Sequence, residues 1–222
     1  MRHLVSLAPA ALLLGLSGAA AQTAPAAAEL LFERPQWQAA APGTALTYSY
    51  RRTSLLESVF GSNIDDRIRL TLDAGVAPAN RTVRVDMFSQ ARRRAAGPFE
   101  DVSGNPVLVL FLEHHLEALA GVLKANPRYL KNAIRSGLRD RATVAPASID
   151  LKGKPVAGWR IEVQPFAQDP NKEKMRGLES LTYTFMAADD VPGSIASIDI
   201  KAAAADGGQL LSETLTYDPN AP

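Results

Sequence analysis

The residues best suited to chemistry are crowded into one short string, Glu113-His114-His115-Leu116-Glu117. His114 and Glu117 stand three positions apart, a spacing that brings both to one side of a helix, where they can share a ligand. Two donors from one helix need a third from elsewhere to hold a metal, and Glu100 or Asp101 just upstream would supply it. A metal-dependent hydrolase centred on His114 is the reaction this set would support. The plainer reading is structural: adjacent histidines point to different faces, one partly buried between helix and sheet and the other solvated. A Ser-His-acid triad would have to draw on Ser103, and the Glu100-Asp101 pair reads more simply as a helix cap or turn. Dinucleotide-binding, P-loop, G-x-S-x-G and HExxH patterns are missing beyond residue 21, and the chain has no Cys. Thiolate zinc, disulfides and a lipid-bearing Cys are thereby excluded. No catalytic residue, metal ligand or cofactor is assigned, and a non-enzymatic protein is expected.

These residues sit in the one long apolar helical signal. Asn105-Pro106 is a helix start: Asn accepts from a free first-turn N–H, and Pro gives up a donor that would be unpaired anyway. Val107 to Leu112 is apolar throughout, and Leu108, Leu112, Leu116, Leu119 and Leu123 continue as a stripe at helical spacing. The run is shorter than the roughly 20 apolar residues of a membrane span. Asn126-Pro127 repeats the start signal. The second helix should turn Tyr129, Leu130, Ala133 and Ile134 inward and end near Gly137, placing Arg128, Lys131, Arg135 and Arg139 on its outer face. Such a row is ordinarily a solvated face, and functionally it would be a docking surface for an acidic partner or anionic lipid heads.

Residues 1–21 read as a secretory signal peptide, with Arg2 and His3 before an apolar core and Ala19-Ala20-Ala21 at the cleavage site. Export to the periplasm follows as the expected localisation. Removing Arg2 leaves 23 basic residues against 23 acidic ones, a balance that speaks against nucleic acid as a partner. Residues 22–43 form an Ala/Pro-rich N-terminal segment whose Leu30, Leu31, Phe32 and Trp37 predict a short helix or clamp on the domain edge. Period-two alternation then marks strands around Leu46–Arg51, Ile68–Leu72, Val83–Met87, Trp159–Val163 and Leu181–Phe185, with further strands to Tyr217. The fold class is α+β: a single domain over 44–218 with a helical insertion at 105–139. The curved antiparallel sheet, a half-barrel of about 7–9 strands, has its concave face covered by the two helices.

Gly158-Trp159-Arg160-Ile161-Glu162-Val163-Gln164-Pro165, the later Leu181-Thr182-Tyr183-Thr184-Phe185 and a final Gly-rich hairpin resemble the layout of LolA/LolB-type periplasmic proteins. The Gly-Asn-Pro-apolar-helix block also resembles exported proteins of unknown function. The LolA/LolB resemblance implies a half-open barrel closed by helices that carries lipoprotein acyl chains. A one-sided apolar sheet beside an over-apolar helix leads to a like expectation, an apolar or lipid ligand between them lined by Leu108, Phe111, Leu112, Trp159, Tyr183 and Phe185. The alternative is a fully packed structural or adaptor protein of the envelope that meets a protein partner or an anionic surface through Arg128, Lys131, Arg135 and Arg139.

Overall fold

A computed structural model describes residues 24–55, 57–204 and 206–221, with the side chains of residues 58 and 59 left aside. The expected signal peptide, 1–21, lies outside the described residues. Nine strands form one antiparallel sheet: β1 (Ala45–Ser54), β2 (Ile64–Ala74), β3 (Arg81–Met87), β4 (Arg94–Val102), β5 (Thr143–Leu151), β6 (Lys154–Val163), β7 (Thr182–Ala187), β8 (Ile195–Ala203) and β9 (Gln209–Tyr217). Their order is β4-β3-β2-β1-β9-β8-β7-β6-β5, so β4 and β5 are the two edges and the curved sheet stays open. Each edge strand carries a proline, Pro98 in β4 and Pro146 in β5. A proline cannot donate to a further strand, so it fits an edge and blunts it.

Among the described residues three α-helices accompany the sheet: α1 (Glu57–Phe60), α2 (Pro106–Leu123) and α3 (Pro127–Asp140). The last two carry the chain from edge β4 to edge β5 across the concave face. Both start as the sequence predicts, with the Asn105 side chain accepting from Val107 N–H and the Asn126 side chain from Arg128 N–H. Asn105 does more than cap. Its amide donates to the Tyr48 hydroxyl and to the Gly193 carbonyl, each at 3.0 Å, and its own backbone N–H donates to Gln36 at 2.6 Å. Asn105→Ala should therefore cost about 2–3 kcal/mol, more than a cap alone, because buried acceptors are left behind. A matching drop in the urea midpoint checks this.

The inward stripe of α2 differs from the expected one. Its buried residues are Val107, Leu108, Phe111, His115, Leu116 and Leu119, and Leu112 and Leu123 are only half-buried. The helix is apolar all round at its start because it has two apolar faces, one on the sheet and one turned away from it. At 18 residues, α2 is long and apolar enough to cross a membrane by length and composition, although the apolar run alone reads as too short. In the fold its inward face is built into the core. On α3, Leu130, Ile134, Gly137 and Leu138 are buried. Tyr129, expected inward, is exposed, and its hydroxyl donates to Asp169. Gly137 lets α3 approach closely, since a Cβ there would meet Val163 and Pro165 at 3.1–3.2 Å.

The N-terminal segment is part of the same core. Glu29–Glu33 winds one π-helical turn that buries Leu30 and Leu31. Trp37 is buried and its indole donates to the Val102 carbonyl at 2.9 Å. On the outer face the arginines meet carboxylates. Arg51 pairs with Asp65 directly across β1 and β2, and Arg84 pairs with Asp73. The Arg92-Arg93-Arg94 run reaches Asp66, whose side chain is buried on the inward phase of β2, then Asp86, then Glu117 of α2. The pairs exposed on both sides, such as Arg51–Asp65, add little stability each.

Candidate functional site

Two places bring functional groups together, on opposite sides of α2. The inner one follows from strand register. Tyr183 of β7 lies opposite Ile200 of β8, and Ile200 lies opposite Glu213 of β9. Leu215, two residues further along β9, faces Tyr50 of β1. These residues share the concave face, and His115 descends onto them from the buried stripe of α2. The Glu213 carboxylate accepts from the Tyr50 hydroxyl at 2.7 Å and from His115 Nδ1 at 2.7 Å. The other ring nitrogen, Nε2, lies 2.9 Å from the Tyr183 hydroxyl. His115 and Glu213 are each 1% exposed.

Burial alone would raise the Glu213 carboxyl, but the facing His115 and the hydrogen bonds from His115 and Tyr50 outweigh it and hold the group below the usual carboxylate range. An ionised carboxylate only accepts, so Nδ1 carries the proton of the His115–Glu213 bond. Burial, then Glu213, pushes the Tyr50 hydroxyl up. Burial and Glu213 do the same to Tyr183, so both stay protonated. A carboxylate orienting an imidazole is the arrangement that prepares a general base. Such a base must lie within hydrogen-bond reach of a substrate proton, and here both ring nitrogens are engaged inside the core. What the cluster does as it stands is fasten α2 to β1, β7 and β9.

His114 takes a different environment. Its ring sits edge-on to Phe88 and Tyr50, with centroids 4.9 and 5.8 Å apart. Its Nε2 is buried without a hydrogen-bond partner among the described residues. Burial is the main cause holding it below the ordinary imidazole value. The residues of the metal reading are not brought together. Glu117 faces Arg94, Asp101 accepts from the N–H groups of Val76 and Ala77, and among the described residues no cluster of three such ligands forms. Of the two histidines, the pattern reading made one solvated. The structure buries His115 fully and His114 in part, because the inward stripe of α2 runs through position 115.

The outer place is a half-open groove of about 450 Å³ between the Glu29–Glu33 turn, α2 and α3. Its floor and walls are apolar: Phe32 from the turn, Val109, Leu112 and Leu116 from α2, Ile134 and Leu138 from α3. Phe32 and Val109 remain 44% and 49% exposed, which is unusual for large apolar side chains with a core so near. Charged residues rim it: Glu33 and Glu113 on one side, Lys131, Arg135 and Arg139 along α3. Lys131 pairs with Glu113 and Arg139 with Asp140.

The structure sorts the expected ligand-lining residues in three ways. Leu108, Phe111, Tyr183 and Phe185 are fully buried members of one packed cluster, so the space expected between helix and sheet is filled there by side chains. Trp159 is half-buried at the margin of that cluster, and Leu112 lines the groove. The expected docking residues Arg128, Lys131, Arg135 and Arg139 are all exposed on α3, and the last three border the groove. Sequence reasoning passed over Glu213, although it stands on the inward phase between Leu211 and Leu215, and passed over Phe32 and Val109 as groove residues. A scan against protein-family models and a search of curated proteins returned no match for this chain.

Proposed function

We propose that this chain is an exported, non-enzymatic binding protein that holds an acyl chain or similar apolar molecule in the groove between the Glu29–Glu33 turn, α2 and α3. The observation that carries the reading is the groove itself. Its volume of about 450 Å³ falls in the range of small-molecule sites, about 300–1,000 Å³, and its lining is apolar and solvent-open. The buried polar cluster supports it indirectly, because it anchors the inner face of α2 and leaves the outer face free for a ligand. The half-open sheet spanned by helices is in keeping with a LolA/LolB-like carrier, with the ligand moved from the inner to the outer side of the helix. A second reading, an envelope adaptor, is favoured by the exposed cations Arg128 and Arg135 on α3.

Native mass spectrometry of protein purified from envelope extracts tests the first reading. The intact protein should begin at Gln22 and carry added lipid mass that is lost on delipidation. Leu112→Glu should abolish the adduct at unchanged folding, because it places a charge in the apolar wall of the groove. A clean, ligand-free wild-type protein would overturn the carrier reading and leave the adaptor one.

A further inference from the structure

We propose that the ligand of the groove is a single-chain amphiphile with a carboxylate head, and that Arg135 holds that head. This rests on the groove being the ligand site and adds which chemical class it selects. Lys131, Arg135 and Arg139 follow one another at four-residue spacing along α3 and all border the groove. Two of the three already have a carboxylate. Lys131 is taken by Glu113 of α2, and Arg139 is held by Asp140 through Nε and a terminal nitrogen at 2.8 and 2.9 Å. Arg135 has no hydrogen bond or ion pair among the described residues, with a cation on each side of it. With its two neighbours already paired, Arg135 is the groove-lining cation left to take an anion.

The position is set for an amphiphile. Arg135 stands one residue beyond buried Ile134 on the α3 wall, while Phe32, Val109 and Leu112 offer the tail a continuous apolar surface. Glu33, on the opposite wall, has no ion pair among the described residues and would repel an anionic head there. The guanidinium fork matches a carboxylate in two parallel hydrogen bonds, a geometry that a hydroxyl head cannot return and an ammonium head opposes.

Isothermal titration of the full chain with dodecanoate, dodecan-1-ol and dodecylamine tests the assignment. Dodecanoate should bind about ten-fold or more tighter than the alcohol, its advantage should shrink with added salt, and any binding of the amine should not depend on Arg135. Arg135→Gln should bring dodecanoate down to the alcohol. Arg128→Gln, on the same helix but outside the groove lining, should leave the preference intact. Equal binding of acid and alcohol, or a preference that survives Arg135→Gln, would overturn the role of Arg135 while the groove stands as a chain-binding site. An equal loss in Arg128→Gln would overturn it too, since diffuse helix charge would then account for the preference. If none of the three probes binds, the groove reading fails along with it.

Discussion

Replacing His115 with Leu should destabilise the protein by about 3–5 kcal/mol, the cost of leaving a buried carboxylate without its partner. Against a total stability of about 5–15 kcal/mol for a domain, that is a large share of what holds the protein folded. The reason is local. Glu213 is 1% exposed and, among the described residues, accepts side-chain bonds from His115 and Tyr50 alone, so deleting the imidazole removes one of two donors in a buried place. Glu213→Leu should cost a similar amount by orphaning the His115 N–H and the Tyr50 hydroxyl. The double substitution should cost less than the two single losses added together, because neither charged partner is then left buried alone, although the Tyr50 and Tyr183 hydroxyls still lose their partners. A urea-denaturation double-mutant cycle measures this, and two small, additive single effects would show that the pair does not fasten α2. The pH dependence has a definite sign. The folded-state acidity of Glu213 is enhanced, so its contribution is fully present above the unfolded value of about 4.3 and is lost as pH falls through the lower folded value. The stability gap between wild type and Glu213→Leu should therefore narrow on acidification below that value.

Neighbouring positions on α2 should respond very differently to truncation. Phe111→Ala should cost about 3–5 kcal/mol through lost burial and a residual cavity. Phe111 is fully buried and its ring meets Tyr50 edge-on at 6.1 Å, so the cavity would open beside the polar cluster. Leu112→Ala should cost only about 1 kcal/mol, since the side chain is half-buried and faces the groove. Its loss should appear instead as weaker ligand binding. Urea midpoints at unchanged slope report the stability difference. If Leu112→Ala is as damaging as Phe111→Ala, the groove wall belongs to the core and the two-faced description of α2 is wrong.

The architecture was legible where pattern and period agree. Alternation along Tyr48-Ser49-Tyr50 and Ile68-Arg69-Leu70 identifies half-buried strands, and the two Asn-Pro steps mark the starts of both helices. Strand β4 was hidden because Arg94–Val102 holds Gly, Pro and three charges, the composition of a loop; it survives as an edge strand with irregular pairing to β3. The candidate site was harder to read. Apolar periodicity skips His115, so the inward stripe of α2 was drawn through Leu112, and the face that forms the groove was assigned to the sheet. Glu213 was overlooked for the same reason, a polar residue on an apolar phase. The groove also needs the Glu29–Glu33 turn, which lies far from α2 in sequence, and no local pattern says that distant segments will form one wall.

The pairing of β1 with β9 joins distant parts of the chain, Tyr50 facing Leu215 in the ladder while its hydroxyl reaches Glu213, 163 positions away. It is the seam between the run β1–β4 and the run β5–β9, each of which is a meander of neighbouring hairpins. Either meander can zip up early from nearby residues, but the sheet becomes continuous only once β9 docks, and β9 also delivers the carboxylate that His115 needs. Contacts this distant are slow to form because a long loop must close before they return any energy. Late in assembly the molecule is thus two ready half-sheets that close along one strand pair, and only on closing do Tyr50 and His115 meet over Glu213.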